Sequence, residues 1–120
     1  NMNRPIKFRA WVPRLNKMDY EPNYSGQTER LNASFTEPYE INAVFMQFTG
    51  LKDKNGKEIY EGDIIKGVRF GDVYADQISV VEFADGMFRD THWHQPLEAH
   101  RGVMEIIGNI YENPELIDKQ

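Results

Sequence analysis

The chain contains no cysteine. That absence excludes disulfides, thiolate metal centres and a cysteine nucleophile, and it suits a reducing compartment. No apolar run approaches the roughly 18 residues that span a bilayer. No basic-then-apolar leader opens the sequence either, so a cytoplasmic protein, away from the membrane, is expected. Serine is scarce: Ser25, Ser34 and Ser79 are the whole set, and none lies in a G-x-S-x-G setting. Neither a G-x-G-x-x-G fingerprint nor a phosphate-binding P-loop occurs. Repeats and low-complexity tracts are absent as well. With these gaps, no cofactor and no enzymatic activity are expected.

What is present suits one ordinary domain. The 120 residues are 40% hydrophobic and 28% charged, and 7 Phe, 6 Tyr and 2 Trp are enough to fill a core. The net charge of −5 is unevenly spread. Residues 1–17 carry Arg4, Lys7, Arg9, Arg14 and Lys17 without an acid, so the remainder sums to −5 − 5 = −10. An acidic balance disfavours non-specific binding to polyanions, because phosphate neutralisation supplies most of that affinity.

Hydrophobic periodicity predicts strands throughout. Ile6, Phe8, Ala10 and Val12 alternate with Lys7, Arg9 and Trp11, the pattern of a half-buried strand. Pro13 closes it, residues 14–18 read as a turn, and 18–20 as a returning strand. Residues 21–42 show no period and read as a long irregular loop, with residual strand at 35–41. "AVFMQF" (43–48) reads as a strand, with Val44, Met46 and Phe48 on one face. Gly50 allows a bend. Asp53-Lys54-Asn55-Gly56 predicts a type I′ hairpin, because Asn and Gly both tolerate positive φ. Glu61-Gly62-Asp63 turns the chain into another strand at 64–66. A loop is expected over 69–77, a strand at 78–83, a tight hairpin at Asp85-Gly86, a helical turn around 96–100 and a last strand at 103–110. Asn113 and Pro114 predict the N-cap and first position of a short helix.

Several clusters invite chemistry. Glu58, Glu61 and Asp63 crowd the central turns. As an acid–base pair they would need a cleft that separates their pKa values; turn carboxylates more commonly bond nearby backbone amides, which is the reading adopted. His92-Trp93-His94 is an H-x-H pair. On a strand its imidazoles would lie roughly 6.5–7 Å apart by strand rise, with His100, Glu98 or Glu105 as a third metal ligand. Surface histidines beside a loop are the plainer reading. Lys7, Arg9 and Trp11 form a basic-aromatic strip suited to single-stranded nucleic acid. A solvated outer face, or a subunit-interface anchor at Trp11, explains the same strip.

Three segments in order, "IKFRAW" (6–11), "QFTGLKDKNGKEIYEGDIIK" (47–66) and "EIIGNIYENPEL" (105–116), resemble the YopX family of phage and prophage proteins. That resemblance implies a mainly β fold with an SH3-like small barrel built around the Gly-Asp segment. The barrel core would span about 43–110 of a single 1–120 domain, with an N-terminal strand extension and a short C-terminal helix. It also implies self-association, and it carries over no catalytic residues. Thr49, Gly50, Leu51, Asp53, Gly56, Ile59, Gly62 and Asp63 match the family motif and are read as fold-defining. The expected function is a non-enzymatic binding or assembly module, homo-oligomeric or joined to a phage or host protein. A nucleic-acid-binding module using Lys7, Arg9 and Trp11 is the alternative, and a metal-dependent enzyme at His92 and His94 comes third.

Overall fold

The computed structural model describes residues 6–22 and 43–118. The expected irregular loop at 21–42 falls almost wholly outside them. The fold is mainly β, and its contacts group into two compact units, Ile6–Gln47 and Phe48 onward.

In the first unit, β1 (Phe8–Val12) and β2 (Lys17–Asp19) form an antiparallel pair with Trp11 opposite Met18. A single 3-10 turn, Pro13–Leu15, joins them and ends on Asn16 at φ 52. The other edge of β1 pairs with the start of β3 (Val44–Lys52), placing Arg9 opposite Met46. Alternation predicts one buried face on β1. Instead Arg9, Ala10, Trp11 and Val12 are all buried. Tyr20 accounts for part of this: its hydroxyl accepts a hydrogen bond from Arg9 Nη1 at 3.2 Å, and the guanidinium sits over its ring at 5.7 Å. On β3, Met46 and Phe48 are buried as the pattern requires, while Val44 is exposed.

In the second unit, the end of β3 pairs with β4 (Glu58–Tyr60). A four-stranded antiparallel sheet follows, comprising β5 (Asp63–Phe70), β6 (Val73–Ala84), β7 (Met87–Asp90) and β8 (Glu105–Asn109) in the order β7-β6-β5-β8. Ile59, Ile65, Val81, Leu97 and Met104 form its core, with Leu51, Phe88 and Ile106 packed against them. Leu97 arrives from the 3-10 turn Leu97–His100. Each such side chain contributes about 1.5–3 kcal/mol on leaving water.

Three local expectations change. At 53–56 only Gly56 has positive φ (85); its N–H donates to Asp53 O at 2.9 Å, while Asp53 N–H donates to Lys57 O at 2.8 Å. This is a turn closed by a glycine bulge rather than type I′. The type I′ pattern occurs at Asp85-Gly86 (φ 54 and 80), between the paired residues Ala84 and Met87. The loop expected at 69–77 is instead continuous strand on both sides of the two-residue turn Gly71-Asp72. The C-terminal helix α1 is a single turn, Glu115–Asp118. Asn113 Oδ1 accepts the N–H of Asn109 at 3.1 Å, so the side chain reaches back to β8.

Candidate interaction surface

The aspartates of the central acidic run are committed to the backbone. Asp53 is buried; its Oδ1 accepts the N–H groups of Asn55 and Lys57, each at 2.9 Å, and its Oδ2 that of Ile106 at 3.0 Å. One side chain thus closes the turn and ties it to β8. Asp63 is 2% exposed, and its Oδ2 accepts Tyr60 N–H at 2.8 Å. The turn before it is gripped from two sides: Gly62 (φ 86) donates its N–H to Val81 O, and its carbonyl accepts Ile110 N–H, both at 2.9 Å. Thr49 Oγ1 donates to Ile59 O at 2.8 Å and accepts Leu51 N–H at 3.1 Å, across the β3 irregularity that contains Gly50. Ile59 is wholly buried and Leu51 packs beside it. Glu58 and Glu61 are half-buried.

His92 and His94 do not lie on a strand. They sit in the turn after β7, both exposed, and His94 has φ 59, so the expected same-face geometry is absent. Among the described residues no group of three or more His, Asp or Glu is placed to hold a metal ion.

The histidine that the structure singles out is His100, which sequence reasoning treated only as a possible third ligand. It is fully buried against a fully buried Asp90. Its Nδ1 accepts Arg69 N–H at 2.9 Å, which leaves Nε2 to donate to Asp90 Oδ1 at 2.9 Å. The ring is therefore neutral and both its nitrogens are engaged, so no lone pair remains for proton abstraction. Asp90 also accepts Trp93 N–H at 2.6 Å and Gln95 N–H at 2.9 Å. Burial pushes its carboxyl up; the hydrogen bonds from His100, Trp93 and Gln95 outweigh that and hold it down at about 2. The pair joins the 3-10 turn, β5 and the end of β7. An open cavity of about 310 Å³ lies nearby, lined by Leu51, Phe88 and Leu97 among others.

The proposed nucleic-acid strip is mostly covered. Lys7 is half-buried, Arg9 is 2% exposed and Trp11 is 7% exposed. Base stacking needs an open ring face, which Trp11 does not offer. The open aromatics are elsewhere. Phe70 (56% exposed), Val73 (61%) and Tyr74 (51%) crowd the tip of the β5–β6 hairpin. Phe70 lies 5.5 Å from the Trp93 ring, which lies 5.1 Å from His92. Arg69, beside Phe70, is exposed. A Val-Tyr pair after a Gly-Asp turn was the available signal for this tip.

Strands tied by buried turn carboxylates, with apolar residues exposed at a hairpin tip, define a mainly β protein. Comparison with known proteins gives its family. The YopX protein family model matches residues 7–118, and the chain belongs to that family. The crystal structure of protein EF1440 from Enterococcus faecalis is similar over 94% of this chain and 98% of its own, at 28% identity and a TM-score of 0.66. The X-ray structure of protein yopX from Bacillus subtilis shares the fold over 91% of this chain and 95% of its own, at 21% identity and a TM-score of 0.52. No curated protein sequence matches. Among the described residues no helix is long and apolar enough to cross a membrane.

Proposed function

We propose that this chain is a non-enzymatic assembly module of phage or prophage type, working in the host cytoplasm and self-associating. On this reading its strands close as an SH3-like barrel around the Gly-Asp segment. The observation that carries the proposal is the hairpin tip, where Phe70, Val73 and Tyr74 stay more than half exposed. Apolar groups clustered on an otherwise charged surface mark sites of contact. The buried carboxylates support the non-enzymatic part, since Asp53, Asp63 and Asp90 are turned to backbone donors or His100. Light scattering over a range of concentrations tests the reading. The wild type is expected to exceed its 14.0 kDa monomer mass as concentration rises, and Phe70→Ser/Val73→Ser to stay monomeric. A wild type that is monomeric throughout overturns it.

A second reading, nucleic-acid binding, rests on the ring run Phe70–Trp93–His92. Bases would stack on these rings. Fluorescence anisotropy with single-stranded oligonucleotides at low salt checks it, and an absent signal removes it.

A further inference from the structure

Strand β6 is twelve residues long, yet β7 covers only Val81–Ala84. Which way the remaining backbone groups point can be fixed at two places. Arg69 N–H leaves the β5–β6 ladder to reach His100, so Tyr74, directly opposite, also turns its N–H and C=O away from β5. Val80 exchanges both its groups with Thr91, its N–H to Oγ1 and its carbonyl from N–H, each at 3.0 Å. Tyr74 and Val80 therefore share one parity along the strand, and alternation between these two fixed ends turns Asp76 and Ile78 the same way, across the register irregularity that lies between the pairs Val68–Ala75 and Lys66–Ile78. Among the described residues nothing pairs with the backbone of Tyr74 or Asp76. Ile78 has only its carbonyl engaged, by Gln77 Nε2 at 3.2 Å.

Such edges are ordinarily blunted by proline, lysine or a covering element. From Val73 to Ser79 there is no proline and no lysine, and Asp76 is the single charge. We infer that a second copy of this chain pairs with the Tyr74–Ile78 edge of β6, antiparallel, about a two-fold axis at Ala75. The inference deepens the self-association reading and rests on it.

The register follows from charge and hydrogen-bonding direction. An axis at Asp76 would set two carboxylates directly opposite each other, which is destabilising. An axis at Ala75 places Tyr74 opposite Asp76 of the other copy, twice by symmetry. Both residues present outward N–H and C=O groups, so each such pair exchanges two backbone hydrogen bonds. The phenol already donates to Asp76 Oδ1 within the chain at 2.6 Å, which shows that these two side chains are compatible neighbours. Arg69 lies directly across from Tyr74 on the same face, where its positive charge complements the incoming Asp76. On the opposite face Val73 and Phe70, an opposed pair, extend the apolar surface towards the axis. A strand of a different protein could use the same edge, but would not need this self-complementary register.

The absence of cysteine allows a direct test. Ala75 would face its own copy in a non-hydrogen-bonded pair, with Cα atoms about 4.5 Å apart, within disulfide reach. Mild oxidation of Ala75→Cys is expected to give a covalent dimer, whereas Val73→Cys, which would face Gln77, stays monomeric. Asp76→Pro removes an outward donor while leaving the β5 ladder intact. It is expected to keep the wild-type circular dichroism spectrum and to lose self-association. If the wild type self-associates but Ala75→Cys does not cross-link, this register is wrong and the broader reading survives. If Asp76→Pro folds and still associates like the wild type, the edge is not the interface. A wild type that never self-associates removes both proposals. Should Asp76→Pro fail to fold, the cysteine pair decides alone.

Discussion

Gly62-Asp63 and Gly71-Asp72 are the same dipeptide, nine positions apart, each at a turn between two successive strands. Around the first, Ile64 and Ile65 enter the core and the backbones of Val81 and Ile110 grip the glycine. Asp63 is buried and serves Tyr60 N–H. Around the second, Phe70, Val73 and Tyr74 face solvent and Asp72 is exposed. The glycine permits a reversal in both places, but whether the neighbouring acid becomes structural depends on the elements that arrive from distant sequence. The 53–63 region is saturated and expected to be rigid; the 70–76 region is open and available for contact. Each prediction below strains that contrast.

The largest effect is expected at Asp53. Asp53→Ala strands the N–H groups of Asn55, Lys57 and Ile106 that its carboxylate accepts. Part of the turn reaches water, so the loss is about 3 kcal/mol rather than the full sum of three unmet donors. Urea unfolding followed by circular dichroism measures it. Asp53→Asn, which keeps one acceptor oxygen, is expected to fall between. A loss below about 0.5 kcal/mol, the range of an ordinary surface substitution, would erase the contrast between the two regions.

The Asp90–His100 pair is expected to give a smaller effect, visible on acidification. Asp90 is held at about 2 in the folded protein against 3.8 ordinarily. A carboxyl depressed by folding adds stability above its unfolded value, and that stability is lost as pH falls through the folded one. The window therefore runs from about pH 4 down to about pH 2, with a loss of about 2 kcal/mol across it. Unfolding midpoints at stepped pH read this directly. Asp90→Asn should flatten that part of the profile; an unchanged slope in the variant would place the acid sensitivity at other carboxylates.

The strands at 43–48, 78–83 and 103–110 were legible because β-branched and aromatic residues cluster between turn signals. The Asp85-Gly86 hairpin was legible for the same reason. What escaped was set by partners remote in sequence. Arg9 and Trp11 alternate correctly for an outer face, but Tyr20 lies across Arg9 and both are buried. His100 sits in the polar run "LEAH", and nothing local reveals that Arg69 N–H and Asp90 close around its ring. At Asn55-Gly56 the dipeptide favours type I′, yet the Asp53 carboxylate accepts the N–H groups of Asn55 and Lys57 and stabilises the bulged alternative. The motif residues from Thr49 to Asp63 are read as structural because their acids flank glycine turns. The open edge of β6 could not be read, because it depends on how short β7 is.

The smallest effect is also the one most diagnostic of the contrast. Asp72 occupies the second position of an exposed two-residue turn, and it makes no ion pair or side-chain hydrogen bond among those the structure shows. Its φ is negative, so alanine meets no backbone penalty there. Asp72→Ala is expected to change unfolding free energy by less than about 0.5 kcal/mol in either direction. Self-association should stay as in the wild type, since a two-fold axis at Ala75 holds the two Asp72 carboxylates about 20 Å apart, beyond the screening length. Urea midpoints and sedimentation give the two readouts. A loss of stability comparable to that of Asp53→Ala would mean that the hairpin tip, for all its exposure, is held by interactions of the same kind as the central turn.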